Sequence, residues 1–208
     1  MENNWYRMKE NSIKKLKHDI KIGRVDRDIV WILNIINSLK NYYTTSSCSG
    51  RIQVTANTLP GEKFSLITLA KWHHVIKLKD LLIVLEKSPE ENMWFAVQPP
   101  IIHIACRDLE SAIDMLKHAR NNGFKHAGIQ GVKENRVMIE ITSTERIETP
   151  LRLDGHDLYR KEHLGKLVKA ANNLLIKSKT RMVNFGSSLT KKFFENKLPN
   201  IKPRNNTP

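Results

Sequence analysis

The residues best suited to chemistry form a short polar segment, residues 46–51, which reads SSCSGR. Small hydroxyl residues and a glycine allow successive backbone N–H groups to converge on an anion. Arg51 adds a guanidinium that can bind a carboxylate or a phosphate through two parallel hydrogen bonds. The same residues suit a hairpin turn with an ordinary exposed arginine, and the local pattern leaves both interpretations open.

Cys48, in the middle of this segment, is a candidate nucleophile, because a turn beside an arginine can lower the pKa of a thiol. No partner histidine stands at a supporting spacing, and lone cysteines are usually inert, so a Cys48-dependent hydrolase or transferase is a minor hypothesis. The other cysteine, Cys106, is distant and forms no CxxC pattern. This excludes a disulfide scaffold and a cysteine-based zinc site.

Three histidines, His73, His74 and His103, fall near predicted strands. Adjacent histidines point to opposite faces of a strand, so we expect no metal site here. A single histidine that acts as a general base or contacts a nucleobase is more plausible. A surface histidine is nevertheless the commoner role for any one of them.

Four further residues are weaker candidates for a site. Asp26 could accept a proton in a cleft, but its position favours a helix N-cap. Trp72 could stack on a nucleobase, although core packing is the commoner use of such a ring. Asn172 and Arg181, on the last predicted helix, could face a phosphate or a cofactor, with solvent exposure as the alternative.

The elements that must position these residues follow from the hydrophobic periodicity. We predict helices over residues 5–21, 26–40 and 108–121, and a long helix from about residue 156. We predict strands over residues 42–46, 51–56, 64–70, 126–132, 136–144 and 149–153. Residues 94–106 are predicted to form one or two strands, with Pro99 and Pro100 at an edge or a bend. Residues 74–86 alternate too weakly to assign.

Helices and strands do not alternate regularly, which favours an α+β fold with a mixed, largely antiparallel sheet flanked by helices. No GxGxxG turn follows an early strand, so a Rossmann-type methyltransferase or dinucleotide-binding fold is not expected. The 208 residues suit a single domain over residues 1–195. Residues 196–208 are polar and proline-rich and are expected to be disordered.

The formal net charge of +14 favours polyanionic partners, either nucleic acid or an anionic membrane surface. Residues 160–208 hold twelve lysines and arginines against two acidic residues. Basic helices are often merely solvated, but this excess favours nucleic acid. No apolar run reaches the ~20 residues of a membrane span, and the start of the chain lacks the apolar stretch of a signal peptide. We therefore expect a cytoplasmic protein without a membrane partner.

Residues 44–52, TTSSCSGRI, resemble the signature of the wybutosine-synthesis methyltransferase family, which has eukaryotic and archaeal members. Weaker matches follow in family order at residues 23–29 (GRVDRDI), 98–104 (QPPIIHI), 123–129 (GFKHAGI), 139–144 (IEITST) and 167–172 (LVKAAN). Three positions depart from the family pattern: residues 69–74 lack the usual glycines, Ala127 replaces a serine and Thr142 replaces an arginine.

The resemblance implies methyl transfer from S-adenosylmethionine to N-4 of a tricyclic guanosine derivative at position 37, in the anticodon loop of tRNA(Phe). It implies three groups of site residues: Ser47, Ser49 and Arg51 for the cofactor carboxylate or the amino-carboxypropyl arm of the base; Asp26 or His103 as proton acceptor; and Trp72, His74, Asn172 and Arg181 for the substrate. The alternative is a non-catalytic RNA-binding protein that uses the basic C-terminal helix. The oligomeric state stays open.

Overall fold

The computed structural model describes residues 2–57 and 66–193. Within these ranges the helices are α1 (Glu2–Lys21), α2 (Val30–Ser38), α3 (Leu78–Lys87), α4 (Leu109–Asn121) and α5 (Lys161–Phe193), and a 3-10 turn (Arg27–Ile29) precedes α2. The strands are β1 (Tyr42–Cys48), β2 (Arg51–Ala56), β3 (Ile67–Trp72), β4 (Met93–Gln98), β5 (Ile101–Cys106), β6 (Gly128–Lys133), β7 (Arg136–Thr142), β8 (Ile147–Leu153) and β9 (His156–Asp157). No helix in this part of the chain is both long enough and apolar enough to cross a bilayer.

The strands form two sheets rather than the single sheet expected from the sequence. The first sheet has the order β1-β5-β7-β6 and the second has the order β3-β2-β4-β8-β9. Every strand pairing among the described residues is antiparallel. The α+β class without a Rossmann-type sheet is confirmed.

Three chain segments pass from one sheet to the other side by side, so that the strands that flank them are paired with one another. These corners lie at residues 49–50, 99–100 and 143–146, where β1 leads to β2, β4 to β5 and β7 to β8. On one side of the corners Cys48 and Thr142 both pair with Ile101, and on the other side Arg51 pairs with Gln98. Residues 46–51 therefore form a corner between sheets. The hairpin interpretation was wrong, because β1 and β2 do not pair with each other.

Gly50 and the prolines at positions 99 and 100 explain why the strands turn here. Gly50 has φ +86°, and a Cβ atom on it would lie 3.0 Å from Cδ of Pro100. Proline has no N–H group with which to continue a strand ladder. The strand ladder therefore stops at residues 99–100. Because Gly50 has no side chain, the corner at residues 49–50 packs closely against the corner at residues 99–100.

Helix α5 belongs to two hydrophobic cores. Its first part, including Leu164 and Leu175, packs in the core of the second sheet, and its later part, including Phe185, packs with α2 and α4 on the first sheet. Gly186 allows α2 to approach closely, since a Cβ there would lie 2.5 Å from the Trp31 ring. The single domain over residues 1–195 stays a prediction. Its last two residues and the tail 196–208 lie outside the described residues.

Other boundaries differ from the predictions. The helix predicted from residue 26 begins as the 3-10 turn, and the last helix begins at Lys161 rather than near His156. Residues 156–157 instead form β9, which pairs with β8 across a turn where Asp154 and Gly155 have φ +48° and +78°. The unassigned residues 74–86 contain most of α3. The first two residues of the strand predicted over 64–70 lie outside the described residues.

Gly50→Ala is expected to lower the free energy of unfolding by about 2–4 kcal/mol. The alanine would adopt a left-handed conformation and its Cβ would meet Pro100 at 3.0 Å. Gly23→Ala is the matched control, because Gly23 has φ +73° but a Cβ added there would meet no atom within 4 Å. Both variants carry the cost of a left-handed backbone, and only Gly50→Ala adds the contact with Pro100. The difference between their free energies of unfolding in urea therefore measures the cost of that contact. Equal losses would contradict tight packing of the two corners.

Candidate functional site

The carboxylate of Asp26 binds the corner between β1 and β2. Its Oδ2 accepts a hydrogen bond from the Ser49 N–H at 2.7 Å and lies 3.3 Å from Nδ1 of His73. Asp26 occupies the N-cap position of the 3-10 turn, but its side chain makes no capping hydrogen bond. The predicted capping role was therefore wrong. The carboxylate instead serves a backbone donor in the corner, where the strand ladder is interrupted.

Ser49 is 3% exposed, and both its N–H group and its hydroxyl have partners within the chain. Its N–H donates to Asp26, and its Oγ accepts from Nζ of Lys179 on α5 at 3.0 Å. Lys179 also forms an ion pair with Asp28 of the 3-10 turn. The corner does bind an anion, as the sequence suggested, but that anion is the Asp26 carboxylate.

Arg51 differs from its neighbours because its guanidinium lacks a strong partner. Its Nη1 lies 3.9 Å from Sγ of Cys48, and its buried Nε has no hydrogen-bond acceptor. Arg51 makes no ion pair with any residue in ranges 2–57 and 66–193. A buried donor without an acceptor costs about 1–3 kcal/mol. The Arg51 residue as a whole is half-buried, so an anionic ligand could supply the strong partner that the guanidinium lacks.

One ring nitrogen of His73 faces several acceptors. Its Nδ1 lies 3.1 Å from the carbonyl oxygen of Gly50, 3.3 Å from Oδ2 of Asp26 and 4.0 Å from Sγ of Cys48. A carbonyl oxygen can only accept, so Nδ1 carries a proton in this arrangement. The structure thus brings together a histidine and a cysteine whose spacing in the sequence gave no such indication.

Two hypotheses about this cluster can now be compared with its geometry. Burial raises the pKa of the Cys48 thiol, which is opposite to the lowering that a thiolate nucleophile needs. The ligand atoms of Asp26, Cys48 and His73 lie within 4.8 Å of one another, close enough for one metal ion. However, the His73 nitrogen in this group donates a hydrogen bond, whereas a metal ligand must offer a lone pair. A site without metal stays our prediction.

His103 lies in a second hydrogen-bonded chain on the first sheet. Its Nδ1 is 3.0 Å from Oγ of Ser46, and its Nε2 is 3.0 Å from Oε2 of Glu140. Both ring nitrogens are therefore engaged. Ser46 and Cys48 are two residues apart on β1 and project from the same face, so this chain neighbours the Asp26 cluster.

A small cavity of about 150 Å³ lies between α1 and β1. Ser47 lines it together with Thr45, and the side chains of Lys15 and Arg24 contribute positive charge. Lys15 forms an ion pair with Asp19, which also lines the cavity. Ser47 thus faces a different space from Ser49, and the predicted trio of Ser47, Ser49 and Arg51 is divided among three environments.

Trp72 and His74 flank His73 at the end of β3. Trp72 pairs with Ile52 of β2 and packs partly against the core of the second sheet. His74 is exposed, and its Nδ1 lies 2.9 Å from the carbonyl oxygen of Val75. Their roles toward a substrate stay predictions.

Asn172 and Arg181 connect α5 to the rest of the fold. The Asn172 side-chain amide accepts from the Ile76 N–H at 2.9 Å and donates to the Ile76 carbonyl at 2.8 Å. Arg181 donates to Glu145, a buried residue in the third corner, at 2.8 Å. Both side chains have structural partners, and substrate binding by either stays a prediction.

Sequence reasoning did not select His73 or Lys179 as site residues. Adjacent strand residues face opposite sides, which implied that one of His73 and His74 faces the corner but not which one. Lys179 is 130 residues from Ser49, and no local pattern indicates that they meet.

Comparisons with known proteins match most of the length of this chain. The family model described as "Methyltransferase TYW3" matches residues 7–191. A protein of Thermococcus sibiricus named tRNA(Phe) 7-((3-amino-3-carboxypropyl)-4-demethylwyosine(37)-N(4))-methyltransferase is 39% identical over 87% of this chain and 92% of its own length. A Methanocaldococcus jannaschii protein of the same name is 34% identical over 87% and 94%.

Solved structures give the same relationship. The structure of the PH1069 protein from Pyrococcus horikoshii has a TM-score of 0.86 and 34% sequence identity, covering 90% of this chain and 96% of that one. The structure of a hypothetical protein from Aeropyrum pernix has a TM-score of 0.72 and 29% identity, covering 80% and 98%.

Arg181→Met is expected to lower the free energy of unfolding by about 3 kcal/mol. The change leaves the Glu145 carboxylate, whose side chain is 3% exposed, with only the exposed Lys177 at 3.9 Å. Adding Glu145→Gln should restore part of the loss, because the unpaired charge disappears. Urea unfolding measures both variants. Wild-type stability in Arg181→Met, combined with weaker RNA binding, would instead support a substrate-binding role.

Proposed function

The chain belongs to the TYW3 methyltransferase family, and on that basis we propose that it methylates N-4 of a demethylwyosine-type base at position 37 of tRNA(Phe), with S-adenosylmethionine as methyl donor. The relatives carry this activity in their names. The proposed place of reaction is the corner formed by residues 46–51, where the family signature meets Asp26, His73 and α5.

One observation carries the assignment of the site: Arg51, the last residue of the signature corner, is a half-buried cation without an anionic partner in the described chain. Lys179 and Arg181 of α5, which also reach the corners, are already paired with Asp28 and Glu145. Both proposed ligands bring a carboxylate, one on the methionine part of the cofactor and one on the amino-carboxypropyl arm of the base. A guanidinium binds such a group through charge-assisted hydrogen bonds.

The residues at the corner fit S-adenosylmethionine. Arg51 is half-buried, so its guanidinium is the group that can donate to the cofactor carboxylate. The carboxylates of Asp26 and Asp28 supply negative charge that suits its sulfonium. When bound, the cofactor supplies an activated methyl group, so the main tasks of the protein are alignment and removal of a proton.

Asp26 and His103 are the proposed proton acceptors. Asp26 is at the corner itself, with its side chain 21% exposed. His103 can act through Ser46, because a hydroxyl can donate to Nδ1 while Nε2 stays bound to Glu140. Trp72 and His74 adjoin the corner and are the proposed substrate contacts. Ser47 is proposed to face the ligand from the cavity beside β1.

The anticodon loop presents its base without a flip from a duplex, which lowers the cost of access. Lys15 and Arg24, which line the cavity beside Ser47, are proposed to contact the RNA backbone there. The basic character of α5 is less available than its composition suggested, because Lys177, Lys179, Arg181 and Lys192 form ion pairs within the chain. Fewer cations of α5 are therefore free to bind RNA. This weakens the alternative that the protein only binds RNA through this helix.

The proposed reaction predicts incorporation of label from methyl-labelled S-adenosylmethionine into tRNA(Phe) from a strain that lacks this methylation. Mass spectrometry of nucleosides should place the methyl group on the tricyclic base at position 37. An anticodon stem-loop cut from the same tRNA should also be labelled, and tRNA with adenosine at position 37 should not. RNA binding without label would favour the non-catalytic alternative.

Arg51→Ala is expected to weaken binding of S-adenosylmethionine or of the modified tRNA about 10- to 100-fold, because a charge-assisted hydrogen bond contributes about 1.5–3 kcal/mol. Arg51→Lys is the matched control. It keeps the charge but not the planar pair of donors, so an intermediate affinity is expected. Calorimetric titration with each ligand measures the effect. Unchanged affinity for both ligands in Arg51→Ala would remove Arg51 from the site.

A further inference from the structure

We infer that His73 is the group that takes the proton from the base nitrogen, through its Nε2, and that Asp26 is a positioning residue for it. The inference rests on the proposed function, but it replaces Asp26 and His103 as proton acceptors with a single atom of His73. It starts from an asymmetry of the His73 ring. Nδ1 faces the Gly50 carbonyl and the Asp26 carboxylate, whereas Nε2 has no partner among the described residues.

The tautomer follows from these contacts. Two oxygen acceptors within 3.3 Å hold the ring proton on Nδ1. The lone pair of the neutral imidazole is then on Nε2. The side chain is 29% exposed, so the ring is fixed on one side and accessible to a ligand. A histidine oriented in this way is prepared to accept a proton.

His103 lacks this free nitrogen, because Ser46 and Glu140 occupy both sides of its ring. Asp26 already accepts from Ser49, and it also contacts His73 and the Cys48 thiol. The carboxylate would stabilise the imidazolium that forms on proton transfer, as the buried acid does in hydrolase triads. The positive charges of Arg51 and Lys179 near the corner disfavour a positively charged His73. The carboxylates of Asp26 and Asp28 favour it.

The step balances without a further reactant. The lone pair of N-4 forms the new bond to the methyl carbon, and the electrons of the broken carbon–sulfur bond stay on sulfur. The N–H bond of N-4 then breaks: its electron pair stays on nitrogen and its proton moves to Nε2 of His73. The positive charge of the sulfonium thus ends on the imidazolium, which releases its proton to water.

Two substitutions separate the two sides of the ring. His73→Asn places an amide donor near the position of Nδ1 and removes the base at Nε2. His73→Gln places an amide near Nε2 and removes the donor to Gly50. If His73 serves only as a clamp on the corner, His73→Asn should be the milder change. If Nε2 takes the proton, His73→Asn should lower kcat about 10²- to 10⁴-fold with little change in KM.

The experiment measures kcat and KM for both variants with the labelled-methyl assay, and cofactor affinity and unfolding as separate readouts. His163→Asn, an exposed histidine on α5, is the control and should match the wild type. Long-range ¹H–¹⁵N spectra of the free protein should show the Nδ1–H tautomer for the signal that disappears in His73→Asn. This readout does not depend on activity.

The possible outcomes are distinct. A large loss of kcat in folded, cofactor-binding His73→Asn, with the Nδ1–H tautomer in the wild type, supports the inference. Near-wild-type kcat in His73→Asn, or an Nε2–H tautomer, overturns it and leaves the proton to Asp26 or His103. A wild-type protein that transfers no methyl group overturns the proposed function itself.

Discussion

The hydrogen bond from the Ser49 N–H to the Asp26 carboxylate connects the parts of this molecule that form its site. Three chain segments leave one sheet and enter the other at that level, and each interrupts a strand ladder. Backbone donors at such corners need partners other than a neighbouring strand. Asp26 supplies one from outside both sheets, and this fixes the segment before α2 against the corner.

The distribution of charge around the corner follows from the same arrangement. Asp26 and Asp28 follow each other closely in the chain, and Lys179 of α5 links Asp28 to Ser49. The buried Glu145 in the third corner is paired with Arg181. Structural pairs therefore use several of the charges near the corners, whereas Arg51 keeps a buried guanidinium nitrogen that has no hydrogen-bond acceptor among the described residues. A net charge of +14 alone does not reveal this difference.

Three features of the sequence depart from the family pattern, and the structure shows where each of them lies. Residues 69–74 end β3 and carry His73 to the corner, where its Nδ1 lies 3.1 Å from the Gly50 carbonyl oxygen. Ala127 is 2% exposed in the core beneath the first sheet, where a small apolar side chain fits. Thr142 pairs with Ile101 next to the corner. Nothing in the structure explains the change from arginine at that position.

The sequence by itself determined the local structure. Apolar periodicity indicated the main helices and most strands, and the order of motifs indicated the family, because both are properties of neighbouring residues. It also marked residues 46–51 and Asp26 as candidates. It could not determine that β1 and β2 lie in different sheets, since a strand pattern does not specify its partner.

Only the tertiary structure decided which groups meet. It showed that Asp26 accepts from Ser49 and does not cap the helix, and it placed Nδ1 of His73 against Gly50. It also paired Lys179 and Arg181 of α5 with acids far away in the chain. The physical reason is that hydrogen bonds and ion pairs depend on distance in space. Contacts such as Lys179 with Ser49 therefore become visible only after the strands and α5 have packed.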